Sequence, residues 1–193
     1  MDRPFIRLAP IKVEIIHFEP LVVIFRNVMS DEEIKTLINI SLPSLHRSVI
    51  GNYGIAGQYE PHYDFSRNNE SSKNHSMGIG NRIATVLFYL TTPEKGGYTI
   101  FNKINTIAKP SKRDALFWYN LLRNGDGDLR TMHAACPVLI GDKWVVNSWI
   151  RERGQENFRP CSLKSPTMER YVGDLGGYYE NIMKKYHHNL KND

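Results

Sequence analysis

Near its start the chain alternates apolar and polar residues (Val13, Ile15) and then runs five apolar residues together, Leu21-Val22-Val23-Ile24-Phe25. Alternation with period two places every second side chain on one face of an extended strand, and a short unbroken apolar run suits a strand buried on both faces. Residues 11–25 are therefore predicted as strands. The period then changes. Across 27–42 the apolar residues Ile34, Leu37 and Ile38 recur at helical spacing. Ser30 can cap that helix with Glu33 as its reciprocal partner three residues on, and Pro43 ends it. From about residue 48 the pattern is β again, in short runs at 58–65, 83–90, 98–101, 115–119, 133–138 and 143–149. Turn-forming clusters of Gly, Asn, Pro and Asp separate them at 68–74, 78–81, 92–97 and 124–128. Many short strands behind one leading helix predict a mainly β fold with flanking helices, its core a double-stranded β-helix, or jelly roll. Three stretches follow: 1–47 as strands and a helix supporting the core, 48–161 as the core domain, and 162–193 as a polar, tyrosine-rich tail. In that tail Ser165-Pro166 could open a helix, but Gly173, Gly176 and Gly177 interrupt it.

Composition narrows the classes without choosing among them. A chain of 193 residues with 41% apolar and 23% charged residues suits one soluble globular domain with a core of useful size. The formal charge of +5 is scattered, with no Lys/Arg block and no aromatic-basic stripe, so no nucleic-acid partner is expected. No apolar run approaches spanning length, so no membrane partner is expected either. Met1-Asp2-Arg3-Pro4 lacks the basic and apolar regions of a secretory leader.

The chemistry concentrates in four side chains. His62 and Asp64 are two residues apart in a predicted strand, so they project from one face while Tyr63 points away. His133 opens another predicted strand, and Lys143 follows it by ten residues. Two His and one carboxylate, with coordination positions left open, form the ligand set of non-haem Fe(II) oxygenases. A lysine shortly after the distal His suits a cosubstrate with a remote carboxylate, 2-oxoglutarate. Alone, a His-x-Asp more often has a surface or structural role. Zinc hydrolases use the same donors, although no His-Glu-x-x-His helix is present. His17, His46, His75, His187 and His188 read as solvated or hydrogen-bonded residues. Asp126-Gly127-Asp128 reads as a hairpin turn, because the twelfth position of a calcium loop starting there is Pro137. Gly78-Ile79-Gly80 follows no convincing strand and is not a dinucleotide loop.

Several long runs, in order, resemble the catalytic region of the collagen prolyl 4-hydroxylase alpha subunit. They are Asn52-Tyr53-Gly54-Ile55-Ala56-Gly57-Gln58-Tyr59-Glu60-Pro61-His62-Tyr63-Asp64-Phe65, Gly80-Asn81-Arg82-Ile83-Ala84-Thr85-Val86-Leu87-Phe88-Tyr89-Leu90 and Phe117-Trp118-Tyr119-Asn120-Leu121. After these come His133-Ala134-Ala135-Cys136-Pro137-Val138-Leu139 and Arg151-Glu152-Arg153-Gly154-Gln155-Glu156. Residues 11–42 resemble the segment just upstream. The resemblance implies a jelly roll that holds Fe(II) with His62, Asp64 and His133. It implies Lys143 paired with the distal carboxylate of 2-oxoglutarate, with the hydroxyls of Tyr53 and Thr99 assisting and Trp149 beside the cosubstrate. Tyr59 and Arg82 would line the peptide groove. On residues alone, a core tyrosine, a strand threonine, a packing tryptophan and a surface ion pair account for Tyr53, Thr99, Trp149 and Arg82 equally well. The implied reaction consumes O2 and 2-oxoglutarate, with L-ascorbate as reductant, and hydroxylates C4 of proline in a proline-rich, collagen-like peptide. Other readings are the same chemistry on a non-collagen peptide, or a catalytically impaired, shortened binding partner, with protein disulfide isomerase as its partner chain. Two cysteines alone establish no bridge, but the resemblance implies a Cys136–Cys161 disulfide and hence the oxidising endoplasmic reticulum lumen. Asn39-Ile40-Ser41 and Asn69-Glu70-Ser71 fit the glycosylation acceptor pattern.

The chain departs from the family pattern at one internal place. Residues 45–50 run directly into Gly51-Asn52-Tyr53, where the family places several tens of residues, including a strand and a helix. The expected consequence is an intact ligand set with weakened folding stability and weakened peptide affinity, because a lost strand exposes a sheet edge.

Overall fold

The computed structural model describes residues 10–41, 50–66 and 79–161. In chain order the elements are β1 (Lys12–His17), β2 (Val22–Arg26), α1 (Asp31–Ser41), β3 (Ile50–Tyr53), β4 (Tyr59–His62), β5 (Arg82–Tyr89) and β6 (Lys95–Gly96). There follow β7 (Thr99–Phe101), β8 (Thr106–Ala108), β9 (Ala115–Tyr119), β10 (His133–Ala135), β11 (Val138–Ile140) and β12 (Lys143–Arg151). A six-stranded sheet runs β1-β2-β9-β5-β12-β3, a four-stranded sheet runs β4-β10-β7-β8, and β11 pairs with β6. The pairs are antiparallel, so the strands alternate faces. Val22, Ile24, Leu87, Tyr89, Leu116, Trp118 and Val145 of the large sheet meet Phe101 and Ala108 of the small one in one buried cluster. The fold is the jelly roll that the strand spacing predicted.

The other face of the large sheet is covered at one end by α1. Ile34 is buried with Leu90 and Trp144, and Leu37, Ile38, Phe88 and Val146 pack around them. The predicted capping box is present: Ser30 N–H donates to Glu33 Oε2 at 2.7 Å and Glu33 N–H to Ser30 Oγ at 3.2 Å. The helix is shorter than the predicted 27–42, since it begins only after this cap. Pro43 lies outside the described residues, as do the Asn69 acceptor motif and the tail from residue 162. The Asn39 motif falls on the last turn of α1, where Ser41 is buried and its hydroxyl donates to Ile38 O. Residues 12–26 do more than support the core, because β1 and β2 complete its main sheet.

The predicted run 133–138 is two strands in two sheets. β10 stops at Ala135, and β11 starts at Val138 and pairs with β6. Pro137 lies between them and has no N–H to give to a ladder, so the chain changes sheets there. The two residues of β6 fall inside the predicted turn 92–97, and the short β3 and β8 carry too few residues to show a period. The predicted strand 58–65 ends at His62, so Asp64 stands beyond it in a bend.

The hairpin reading of 124–128 holds. Leu122 N–H donates to Asp126 O at 2.7 Å, and Gly125 closes the turn at φ 90°. Gly127 has a separate reason to be glycine. A Cβ there would fall 2.0–2.5 Å from three ring carbons of Phe65, the residue after Asp64. Gly127→Ala is therefore expected to destabilise the chain by about 1–3 kcal/mol through overpacking. Urea denaturation, read as a shift in the transition midpoint at constant slope, checks this.

Candidate metal centre

The central pairing is β10 with β4, which sets His133 directly across from His62. Their ring centroids are 4.3 Å apart. Asp64 is buried beside them, with Oδ1 3.6 Å from His62 Nε2 and Oδ2 3.8 Å from His133 Nε2. One donor atom from each of the three residues lies within 4.8 Å of the others, close enough to share one ion. Each imidazole turns its other nitrogen to a backbone carbonyl: His62 Nδ1 to Glu60 O at 2.8 Å and His133 Nδ1 to Thr131 O at 3.0 Å. A carbonyl can only accept, so Nδ1 carries the proton and Nε2 keeps its lone pair for a metal. His133 is also clasped by aromatic rings, Trp118 at 4.7 Å and Phe101 at 5.7 Å between centroids.

Electrostatics agree with the geometry. Burial pushes the His133 pKa down to about 4 despite the attraction of Asp64, so the ring is neutral near pH 7. Burial raises the Asp64 pKa, but its contact with His62, the nearby His133 and the Thr85 hydroxyl outweigh that and hold it at about 2. The set is two imidazoles and one carboxylate, a donor set that fits Fe(II).

Lys143 opens β12 and is 1% exposed. Its Nζ lies 3.5 Å from Thr99 Oγ1 and 5.5 Å from the centroid of the Tyr53 ring, and Thr99 Oγ1 is 2.9 Å from the Tyr89 hydroxyl. No carboxylate pairs with it among the described residues, and burial lowers its pKa to about 8. Thr99 and Phe101 share one face of β7, two residues apart, and Phe101 touches His133. Thr99 beside Lys143 and Phe101 beside His133 thus place the lysine pocket and the His-Asp-His cluster along one face of β7. Of the predicted residues, Tyr53 and Thr99 do gather at Lys143.

Trp149 does not. It sits six residues along β12, across from Thr85, with the Arg82 guanidinium 3.7 Å from its ring centroid. Arg82 also donates to the backbone carbonyl of Asp64 at 3.2 Å, so it is tied to the metal loop rather than to a surface acid. Tyr59 is 52% exposed and meets His62 edge-on at 4.2 Å. The two cysteines of the expected disulfide are free thiols in this structure. Cys136 is a half-buried thiol at the β10–β11 turn, and Cys161 is exposed. Cys136 N–H donates to Tyr98 O, and Cys161 lines a cleft of about 290 Å³ with Leu121, Glu152 and Arg159. Sequence reasoning missed Thr85, Tyr89 and Asn120. The signal was faint: a lone threonine in the apolar run of β5, on the same face as Tyr89.

The sequence profile described as the 2OG-Fe(II) oxygenase superfamily matches residues 49–151. The chain belongs to that superfamily. It is 43% identical over 229 aligned positions to prolyl 4-hydroxylase subunit alpha-2 of Caenorhabditis elegans, covering 92% of this chain and 42% of the relative. It is 48% identical over 130 positions to prolyl 4-hydroxylase subunit alpha-1 of Homo sapiens, covering 67% of this chain and 24% of the relative. The chain thus spans less than half the length of these relatives. Among solved structures it resembles the viral collagen prolyl hydroxylase of Paramecium bursaria Chlorella virus-1, determined with 2OG. That match has a TM-score of 0.58 at 22% identity and covers 67% of this chain and 95% of that one. The nematode alignment is longer than the chain's own 193 residues, so the relative carries an internal segment with no counterpart here.

Burying Lys143 without an acid partner costs the free protein stability. Lys143→Met is expected to raise the unfolding midpoint of the metal-free chain while abolishing any rise caused by 2-oxoglutarate, both read in one thermal-shift experiment. A lysine with its pKa near 8 is charged below that pH and neutral above it. The KM for 2-oxoglutarate is expected to rise roughly tenfold between pH 7 and 9, a dependence that initial-rate kinetics measures.

Proposed function

We propose that this chain is the catalytic jelly roll of a peptidyl-proline 4-hydroxylase, an Fe(II)- and 2-oxoglutarate-dependent dioxygenase acting on collagen-like X-Pro-Gly sequences. The observation that carries the reading is the buried His-Asp-His cluster with the buried, acid-free Lys143 in the same jelly-roll core. His62, Asp64 and His133 would hold the metal. Bound there, ferrous iron supplies the coupling of 2-oxoglutarate decarboxylation to insertion of an oxygen atom from O2 at C4 of proline. Lys143 would fix the distal carboxylate by a charge-assisted hydrogen bond, with the hydroxyls of Thr99 and Tyr53 beside it. Held at both ends, the cosubstrate has one orientation. Trp118, Phe101 and Val145 keep water out of the space between the sheets. Tyr59 and Arg82, at the open side beside His62 and Asp64, would meet the peptide, with Trp149 as the platform under Arg82. L-ascorbate is the expected reductant. The names of the relatives support a collagen-like prolyl substrate; the endoplasmic reticulum lumen as the compartment and protein disulfide isomerase as the partner chain complete the proposal.

The internal shortening favours a second reading of the same site, an enzyme with its ligand set whole and its peptide grip weakened. The superfamily match begins at residue 49, just where residues 45–50 were read as the shortened junction. The site then turns over slowly, with a peptide KM well above that of a full-length relative. An equal KM would remove this reading.

A coupled-decarboxylation assay tests the main proposal. Succinate release should require Fe(II), 2-oxoglutarate and peptide together, and mass spectrometry should find 4-hydroxyproline in (Pro-Pro-Gly)-type peptides in preference to other proline peptides. His133→Ala, which removes one of three protein ligands, is expected to lose turnover. Equal rates in the two proteins would contradict the assignment.

A further inference from the structure

The Asp64 carboxylate is held by a relay that no metal ligand supplies. Its Oδ2 accepts a hydrogen bond from Thr85 Oγ1 at 2.7 Å, and Thr85 Oγ1 accepts one from Asn120 Nδ2 at 2.8 Å. All three side chains are buried, Thr85 and Asn120 completely. An ionised carboxylate can only accept. The one hydroxyl proton of Thr85 is therefore spent on Oδ2, and its oxygen is left to accept from the far side. That obliges Asn120 to present its NH2 group, which leaves Asn120 Oδ1 buried with no partner. An orphaned buried carbonyl is unusual and calls for a reason. Orienting the Thr85 hydroxyl is that reason.

The relay is built on rigid strands. Thr85 lies within β5, and Asn120 directly follows the adjacent β9. The Asn120 N–H donates to Ile83 O at 2.9 Å, and its own carbonyl accepts from Asp128 N–H at 2.9 Å. Asp64 itself lies outside any strand, so its carboxylate direction needs an external hold. Its other oxygen, Oδ1, faces His62 Nε2 at 3.6 Å.

We propose that Thr85 and Asn120 are positioning residues of the metal centre: Thr85 occupies Oδ2 and so presents Asp64 to the ion through Oδ1, while Asn120 fixes the direction of the Thr85 hydroxyl. The inference rests on the metal-centre reading given above. A carboxylate free to rotate can offer both oxygens and take a position that the cosubstrate or O2 needs. The relay thus keeps the coordination sphere open by occupying the carboxylate rather than the metal.

Co(II) binding to the purified chain, by competition with a chelator and by the visible d–d spectrum, tests the relay apart from turnover. Thr85→Val, which keeps the shape and removes the proton, is expected to weaken Co(II) binding about 10–100-fold and to change the d–d band. Thr85→Ser, which restores the hydroxyl, is expected to return both to wild type. Wild-type affinity and an unchanged band in a folded Thr85→Val would overturn the relay. Should Thr85→Val not fold, Asn120→Leu decides. Several-fold weaker binding with an altered band supports the relay, and wild-type values overturn it. No Co(II) binding by the wild-type chain would instead remove the metal-centre assignment beneath it.

Discussion

Two imidazoles set opposite each other across a strand pair, with a carboxylate folded in beside them, form the constraint around which this molecule is arranged. His133 and His62 meet because β10 and β4 are antiparallel neighbours in one register. A slip of one residue would turn either ring to the opposite face of the sheet. Asp64 has no strand to hold it. Its place depends on the Thr85 hydroxyl, on Arg82 at its carbonyl and on Phe65 seated over Gly127. A buried anion of this kind is tolerable only because hydrogen bonds and a charge partner surround it.

Lys143 poses the opposite problem. Its charge is buried with a hydroxyl and aromatic rings for company and no anion within the described fold. The free protein gives up stability to hold it there, as functional sites commonly do. On the proposed function, a dicarboxylate that reaches it would relieve the burden and gain affinity from the same interaction. The same jelly-roll core thus holds an anionic site at Asp64 and a cationic one at Lys143.

The large sheet ends at β3, next to the place where the chain was read as shortened. β5, β9 and β12 in the large sheet and β10 in the small one have neighbours on both sides, while β4, which carries His62, is an edge of the small sheet. Loss of a segment there touches the walls of the site before it touches the metal ligands. This is why an intact ligand set and a weakened hold on a peptide can coexist in one chain.

The strand periods, the capping box at Ser30 and the ligand set His62, Asp64 and His133 with Lys143 were all legible in the sequence, because each depends on local spacing or on residue chemistry. The sheet change at Pro137 was legible only in hindsight, since a proline breaks a ladder without saying where the chain goes next. What the tertiary structure alone decided was adjacency. Thr85 reads as one more residue in an apolar strand, and Asn120 as the end of an aromatic run. Only the packing of β5 against β9, with Asp64 brought over both, turns them into a hydrogen-bonded chain. The stacking of Trp149 against the Arg82 guanidinium likewise follows from where strands lie in space. Sequence spacing carries no information about distances across a sheet, and those distances set hydrogen bonds, burial and charge.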